Sequence, residues 1–235
     1  MRLASFNMRA GGSPAHWDAI LEVTRPDLLF VQETKRPSSF LATDHFDPSR
    51  ARWASVEHGR WGSAVFSAHA DLKLVTLEGL RGWVVGSPWE SPFGPATAWS
   101  VHLPPEGRSY IKAAHNLLDL LEPTLGEVPV ILAGDWNFTV GFRLPDETRK
   151  NKAGELELLE RLKEDFGVQP AWATANPDVP LPQTLRWARD PTPPYHCDGI
   201  FLPTEWCSRI VSADVLHGSP WTDLSDHNPV VVELE

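Results

Sequence analysis

The stretch Val130-Ile131-Leu132-Ala133-Gly134-Asp135-Trp136-Asn137 contains the pattern on which the fold depends, a short apolar run that ends in polar residues. An uninterrupted β-branched and aliphatic run of this length is typical of a buried strand. The same pattern recurs at Leu28-Leu29-Phe30-Val31, shortly before Glu33, and at Val230-Val231-Val232, shortly after His227. Repeated buried strands with polar residues at their ends predict a domain built around β-sheets.

Helical patterns lie between these strands. Ser13-Pro14 supplies an N-cap and a first-turn proline for a helix that continues to Val23. Apolar residues at helical spacing predict two more helices, over Tyr110 to Leu121 and around Leu156 to Phe166. Strands are predicted at Leu3 to Phe6, Leu28 to Val31, Trp53 to Val56, Ser63 to Phe66, Leu72 to Leu77, Trp83 to Val85, Ala98 to Val101, Val130 to Leu132, Phe201 to Leu202, Ile210 to Leu216 and Val230 to Leu234. Those between residues 53 and 101 lie too close together for intervening helices and should pair antiparallel. We therefore expect an α/β fold of two packed mixed sheets flanked by helices, as a single domain over residues 1–235.

Composition limits the possible partners. The 235 residues include 21 Lys and Arg against 31 Asp and Glu, a formal net charge of −10 that opposes nonspecific binding of nucleic acid. A basic groove would have to be local. The two cysteines, Cys197 and Cys207, do not suggest a disulfide framework. The N-terminus does not resemble a signal peptide and no apolar run approaches transmembrane length, so we expect a cytoplasmic protein without stable membrane insertion.

Polar residues stand at the ends of the predicted strands, where they can share one crevice. They are Asn7, Glu33, His102, Asp135, Asn137, Asp198, Asp226 and His227. Carboxylate and amide oxygens suit Mg²⁺, whereas the sequence has no Cys pair at ligand spacing and no His-Glu-x-x-His motif for zinc. The adjacent Asp226 and His227 suit metal-assisted acid/base chemistry. The alternative is a turn in which Asp226 caps backbone groups and His227 lies at the surface.

Six segments together resemble the ordered motifs of the endonuclease/exonuclease/phosphatase superfamily. They are Phe6-Asn7-Met8-Arg9, Val31-Gln32-Glu33-Thr34, Ser100-Val101-His102-Leu103, Leu132-Ala133-Gly134-Asp135-Trp136-Asn137, Cys197-Asp198-Gly199-Ile200-Phe201 and Ser225-Asp226-His227-Asn228-Pro229. Each motif alone is weak evidence, but their order and spacing extend over nearly the whole chain. The resemblance implies a four-layer α/β sandwich.

The resemblance also implies roles for the metal and the base. Glu33 would be the main ligand of Mg²⁺, or alternatively Mn²⁺, and Asn7 and Asp226 would help to hold the ion or its waters. His227 would be the general base that accepts a proton from the attacking water. Asp198 would orient its ring and stabilise the imidazolium. The implied reaction is phosphoester hydrolysis by in-line attack.

Further residues would act on the phosphate. By the same resemblance, Asp135 and Asn137 would position the nucleophile and a phosphate oxygen, and His102 would bind the scissile phosphate or stabilise the leaving oxygen. The abasic-site endonuclease branch has a tyrosine in place of His102 and an acidic residue in place of Arg9. In these two positions the chain is more similar to secreted deoxyribonucleases and sphingomyelinases. Arg9 would share a face with Asn7 on an extended strand and could meet a phosphate, or it is a solvated surface arginine.

Substrate contacts are less well defined by the sequence. Arg143, Arg149, Lys150 and Lys152 form the most basic segment, which could hold a phosphate backbone or be a mobile polar loop. Trp136 lies inside a site motif, where stacking on a base or packing in the core are both open. The segment Gln183 to Trp187 is expected at the edge of the site.

Three functions remain open. The first is a Mg²⁺-dependent phosphodiesterase of nuclease type that acts on nucleic acid or another phosphodiester. The second is a hydrolase of phospholipid head groups or small phosphate esters, similar to sphingomyelinases or phosphatases, which the acidic charge favours. The third, a catalytically silent interaction domain, would require loss of residues such as Glu33 and His227, which are present.

Overall fold

Twelve strands and five helices make up the computed structural model, which describes residues 1–126, 128–190 and 192–235. The strands are β1 Arg2–Gly11, β2 Leu28–Lys35, β3 Ala51–Ser55, β4 Trp61–Ser67, β5 Val75–Thr76, β6 Val84–Ser91, β7 Gly94–His102, β8 Val130–Asp135, β9 Val168–Pro170, β10 Asp198–Pro203, β11 Ile210–Val215 and β12 Val230–Leu234. The helices are α1 Pro14–Thr24, α2 Tyr110–Leu121, α3 Ala153–Glu164, α4 Ala171–Ala175 and α5 Trp221–Leu224.

The strands form two sheets of six. Sheet 1 has the order β11-β12-β1-β2-β4-β3, and sheet 2 has the order β5-β6-β7-β8-β10-β9. Each sheet contains one parallel pair, β1 with β2 and β7 with β8, while the other pairs are antiparallel. A parallel pair needs a crossover connection, which α1 supplies in sheet 1 and α2 in sheet 2. Both sheets are therefore mixed, as predicted.

Apolar side chains on both faces of the central strands build the layers. In β2, Leu28 and Phe30 pack between the sheets, whereas Leu29 and Val31 pack on the outer side with Trp17 of α1. Because both faces are buried, this strand has a continuous apolar run instead of alternation. Helices α2 and α3 cover the outer face of sheet 2 in the same way. The result is the four-layer α/β sandwich that was predicted.

The predicted elements agree with the structure to different degrees. The helix Tyr110–Leu121 and the strand Val230–Leu234 have the predicted bounds. The long strand predicted from Leu72 to Leu77 is wrong, since only Val75–Thr76 pairs. Antiparallel pairing between residues 53 and 101 is confirmed, but β3 and β4 belong to sheet 1 while β5, β6 and β7 belong to sheet 2. Among the helices of the described residues, none is long and apolar enough to cross a membrane.

Candidate active site

One end of the sandwich collects polar side chains from both sheets. Asn7 and Glu33 lie on the parallel strands β1 and β2, whose carboxyl ends meet at one edge. In sheet 2, His102 pairs with Asp135 across β7 and β8, and Asp135 pairs with Asp198 across β8 and β10. Parallel and antiparallel pairing together therefore place residues far apart in sequence at one edge.

His227 and Asp198 form a buried pair across the two sheets. The Nδ1 atom of His227 lies 3.0 Å from both carboxylate oxygens of Asp198, within hydrogen-bond distance as predicted. Their side chains are 7% and 3% exposed. The Oγ1 atom of Thr184 accepts hydrogen bonds from the backbone N–H groups of Cys197 (2.9 Å) and Asp198 (3.0 Å), which fixes the start of β10. With Nδ1 facing Asp198, Nε2 of His227 is directed toward Asp135, 3.8 Å away.

The charges around His227 control its protonation. Burial lowers the pKa of this imidazole, but the carboxylates of Asp198, Asp135 and Asp226 together outweigh burial and raise the pKa to about 10. Burial and the neighbouring Asp198 raise the pKa of Asp135, against the opposite effect of His227. The site therefore contains more acidic groups than the protein's own cations balance.

A buried arginine holds the loop that carries Asp226 and His227. Nη2 of Arg186 donates to the carbonyl of Ser225 at 2.7 Å, and its Nη1 donates to the Oδ1 atom of Asn228. The backbone N–H of Arg186 also donates to the carbonyl of Asp226 at 2.8 Å. The sequence predicted only that this segment lies at the edge of the site. The one sequence feature that marks Arg186 is a cation in the short run Thr-Leu-Arg-Trp. Its hydrogen-bond partners lie about 40 residues away, so this run alone does not show what Arg186 contacts.

Glu33 and Asn7 form the opposite side of the site. The Nδ2 atom of Asn7 donates to Glu33 Oε1 at 3.2 Å and to Asp135 Oδ2 at 3.0 Å, while its Oδ1 accepts from the Arg9 N–H at 2.9 Å. In this arrangement the amide nitrogen of Asn7 positions two carboxylates, while its oxygen holds the backbone of Arg9. Burial raises the pKa of Glu33, and the Asn7 hydrogen bond partly opposes this. Glu33 and Asn137 both have left-handed backbone, with φ of 49° and 55°, a strain that is typical of functional sites.

Asp226 and Arg9 lie at the mouth of the site. The Arg9 Nε atom is 3.1 Å from Asp226 Oδ2, and the two side chains are 49% and 14% exposed. Arg9 has a φ of 50°, so the chain departs from extended conformation at this residue, and its contact with a phosphate stays a prediction. The Oδ1 atom of Asp226 is buried and makes no hydrogen bond within the described chain. It is therefore a carboxylate oxygen that is available to a cation.

His102 is held as a neutral ring between the carboxylates and two tryptophans. Burial and then the charge of His227 lower its pKa to about 3. Its Nε2 lies 3.7 Å from Glu33 Oε1 and 3.8 Å from Asp135 Oδ2. The rings of Trp61 and Trp83 lie 5.3 Å and 5.0 Å from the His102 ring. The sequence identified His102 but gave no indication of these two neighbours, of which Trp61 begins β4 and Trp83 directly precedes β6.

The predicted substrate contacts are only partly supported. Of the two interpretations of Trp136, the structure supports core packing over contact with a substrate, because its side chain is fully buried and packs edge-to-face against Phe201 at 5.0 Å. Arg143 lines a cleft of about 270 Å³ with Asn137, but its side chain is 2% exposed and ion-paired with Glu147 at 2.8 Å. Exposed cations in the same cleft are Arg149, Lys150 and Lys152. The basic segment therefore reaches the site through these three residues.

Among the residues that the structure describes, two groups of side chains could hold a metal ion. The first contains Glu33, His102 and Asp135, and within each group the candidate ligand atoms lie within 4.8 Å of one another. The second contains Asp135, Cys197, Asp198 and His227. Asp135 belongs to both, so the two groups meet at this carboxylate.

Comparison with known proteins agrees with this geometry. The model of the endonuclease/exonuclease/phosphatase family matches residues 4–227. An AP endonuclease from Archaeoglobus fulgidus is similar in structure, with 17% identity, a TM-score of 0.74 and coverage of 100% of this chain and 99% of that chain. The 3′ phosphatase NExo from Neisseria, solved with a product DNA hairpin, has 15% identity and a TM-score of 0.72, with coverage of 100% of this chain and 99% of that chain. An AP endonuclease from Leishmania major has 14% identity and a TM-score of 0.69, with coverage of 98% of this chain and 86% of that chain. At these identities the likeness shows a shared fold. No curated protein matches the chain by sequence.

Proposed function

Because the chain belongs to the endonuclease/exonuclease/phosphatase family, we propose that it hydrolyses phosphodiester bonds of nucleic acid with Mg²⁺ or Mn²⁺ as its ion. The observation that carries this proposal is the buried His227–Asp198 pair beside the carboxylates of Glu33 and Asp135. An imidazole oriented by one carboxylate and facing others combines a base with a cation site.

The carboxylates near the mouth of the site fit a hard divalent cation. Glu33 and Asp226 are the residues that would hold it, since one oxygen of Asp226 has no hydrogen bond in the described chain and burial raises the pKa of Glu33. Carboxylate oxygens suit Mg²⁺ or Mn²⁺. When bound, such an ion supplies positive charge that polarises the scissile phosphate and lowers the pKa of His227 toward neutrality.

The chain's own residues then divide the work of hydrolysis. Asp198 holds Nδ1–H of His227, so that Nε2 is free to accept the proton of the attacking water. Asp135 and Asn137, linked by a 3.0 Å hydrogen bond from the Asn137 N–H, position that water and a phosphate oxygen. The neutral ring of His102 donates a hydrogen bond to the phosphate as negative charge builds up on it.

DNA is the first substrate to test. The similar structures include AP endonucleases and a 3′ phosphatase bound to a DNA product. Arg149, Lys150 and Lys152 supply local positive charge beside Asn137 that the net charge of −10 does not suggest. That net charge still favours, as a second candidate, a hydrolase of phospholipid head groups or small phosphate esters.

A substrate panel separates these candidates. Plasmid, abasic duplex, single-stranded DNA, RNA, sphingomyelin and bis-p-nitrophenyl phosphate would be incubated with Mg²⁺, Mn²⁺ or EDTA. We expect cleavage of nucleic acid that requires the metal and is abolished by EDTA. Turnover of sphingomyelin or of the small ester without any cleavage of nucleic acid would overturn the nuclease proposal in favour of the second candidate.

A further inference from the structure

A cleft of about 410 Å³ lies beside the catalytic centre, on the side of His102. Its lining includes Trp83, Arg81, His58 and Glu57. Trp83 connects the cleft to the centre, because its ring also lies 5.0 Å from that of His102. The volume falls within the range of pockets that enclose small organic groups such as a nucleoside. A substrate whose phosphate reaches His102 would therefore have its adjoining group at this opening.

The aromatic wall of the cleft is fixed to the catalytic centre. Trp61 and Trp83 meet edge-to-face at 5.1 Å and 89°, and both contact His102. The backbone carbonyl of Trp83 accepts hydrogen bonds from the His102 N–H at 2.8 Å and from Ser63 Oγ at 3.1 Å. The position of Trp83 is thus set by the same strand that presents His102.

A close backbone approach lies next to the cleft, between two of its lining residues, Arg81 and Trp83. Gly82 has a φ of 78°, and a Cβ atom there would lie 2.0 Å from the carbonyl carbon of Ser55. Only glycine allows the turn before β6 to rest directly on the end of β3. The backbone on this side of the cleft is therefore fixed by the contact between the turn before β6 and the end of β3.

The charges near the cleft favour an anionic chain over a cationic head group. Arg81 is exposed and lines both this cleft and a second one of about 540 Å³, which Arg36 and Trp53 also line. Tryptophan faces bind nucleobases and quaternary ammonium groups alike, but two arginines repel an ammonium group and attract phosphates. Glu57 is the one acidic side chain among the described residues that line the two clefts.

We propose that this cleft binds an unpaired nucleotide next to the scissile phosphate, with its base on Trp83 and a flanking phosphate on Arg81. A base inside a duplex is paired and stacked, so it cannot enter a cleft without leaving its helix. The inference rests on the proposed function and narrows its substrate class to nucleic acid with a single-stranded segment.

Binding without cleavage tests the proposal. The anisotropy of a labelled ten-nucleotide oligothymidylate and of a duplex of the same length would be measured in EDTA at several salt concentrations. Wild-type protein should prefer the single strand. Arg81→Ala should raise the Kd for the single strand about fivefold and reduce the slope of log Kd against log salt by about 0.7. Trp83→Leu should raise this Kd about tenfold, and Trp83→Phe, which keeps a ring, by about twofold.

The controls separate the cleft from the chemistry. Lys163→Ala removes an exposed cation from α3 and should leave the Kd unchanged. Equal affinity for both oligonucleotides, or an Arg81→Ala variant that binds like wild type, would overturn the inference, as would Trp83-dependent turnover of sphingomyelin vesicles without oligonucleotide binding. Metal-dependent hydrolysis of bis-p-nitrophenyl phosphate tests the proposed function separately. Hydrolysis without cleft-dependent binding would contradict only the inference, whereas cleft-dependent binding without any phosphodiester hydrolysis would contradict only the proposed function.

Discussion

The two sides of the candidate active site differ in how far the fold encloses them. On the base side, the side chains of His227 and Asp198 are 7% and 3% exposed, and several backbone and side-chain hydrogen bonds fix them. On the ion side, the side chains of Glu33, Asp226 and Arg9 are 23%, 14% and 49% exposed. One side is therefore complete after folding, and the other stays open.

This difference indicates how the site divides its tasks. A base must be held in one orientation, and burial with a paired carboxylate does this without any ligand. A cation and a substrate must enter and leave, so their ligands need access to solvent. Changes on the base side should therefore damage chemistry irreparably, while changes on the ion side should respond to the supply of metal.

The largest effect should come from His227→Asn. This change removes the proposed proton acceptor, and we expect kcat on bis-p-nitrophenyl phosphate to fall by about 10³-fold or more. Excess Mn²⁺ should not restore it, because a metal ion cannot replace the missing imidazole. A kcat within tenfold of wild type, in a variant with unchanged circular dichroism, would show that His227 is not the base and would contradict the comparison between the two sides.

Glu33→Gln should have the next largest effect. Loss of one ligand charge should lower kcat/KM by about 100-fold at limiting metal and raise the metal concentration for half-maximal rate by at least about tenfold. Excess Mn²⁺ should recover part of the rate. The metal dependence of the rate measures this directly. A loss that no metal concentration relieves would show that both sides behave alike.

Substitution of His102 tests a residue that belongs to both sides. With a pKa of about 3, its ring is neutral from pH 5 to 9 and acts as a hydrogen-bond donor. His102→Gln keeps a donor and should lower kcat by about tenfold, while the acidic limb of the pH–rate profile should stay where it is. His102→Ala should lower kcat further. A shift of the acidic limb in the glutamine variant would mean that the ring titrates during the reaction.

Arg9→Ala should have the smallest effect. Removal of this half-exposed cation leaves Asp226 without its ion pair, so metal should bind about threefold more tightly. The KM for a phosphodiester should rise about threefold, because a positive charge at the mouth is lost. Calorimetric titration of Mn²⁺ measures the metal affinity, and steady-state kinetics measure the KM. If metal affinity fell instead, Arg9 would be supporting the ligand geometry of Asp226.

The sequence predicted best those features that depend on local pattern. The helix Tyr110–Leu121 and the polar ends of β2 and β8 follow from periodicity and from short apolar runs. Features that depend on the partner of a strand were not predictable. Consecutive strands such as β4 and β5 entered different sheets, and nothing in their own residues indicates this.

The site shows the same division. The order of the motifs identified Glu33 and His227, but Arg186 stabilises its loop through carbonyl groups about 40 residues away, which no short motif records. The sequence could not decide between substrate contact and core packing for Trp136, because it lies between two site residues, Asp135 and Asn137, although its ring packs on the opposite side against Phe201. Nearness in sequence is a poor guide where alternate side chains point in opposite directions.

The hydrogen bond between His227 and Asp198 joins the two sheets, since His227 precedes β12 in sheet 1 and Asp198 begins β10 in sheet 2. This hydrogen bond keeps its 3.0 Å length only while the two sheets hold a fixed position relative to each other. Side chains packed between the sheets, such as Phe30, Ile131 and Val232, set that position. With His227 as the proposed base, turnover therefore measures how accurately the two halves of the sandwich are aligned. A sandwich that remains folded but slips by an ångström would lose its activity before it lost its secondary structure.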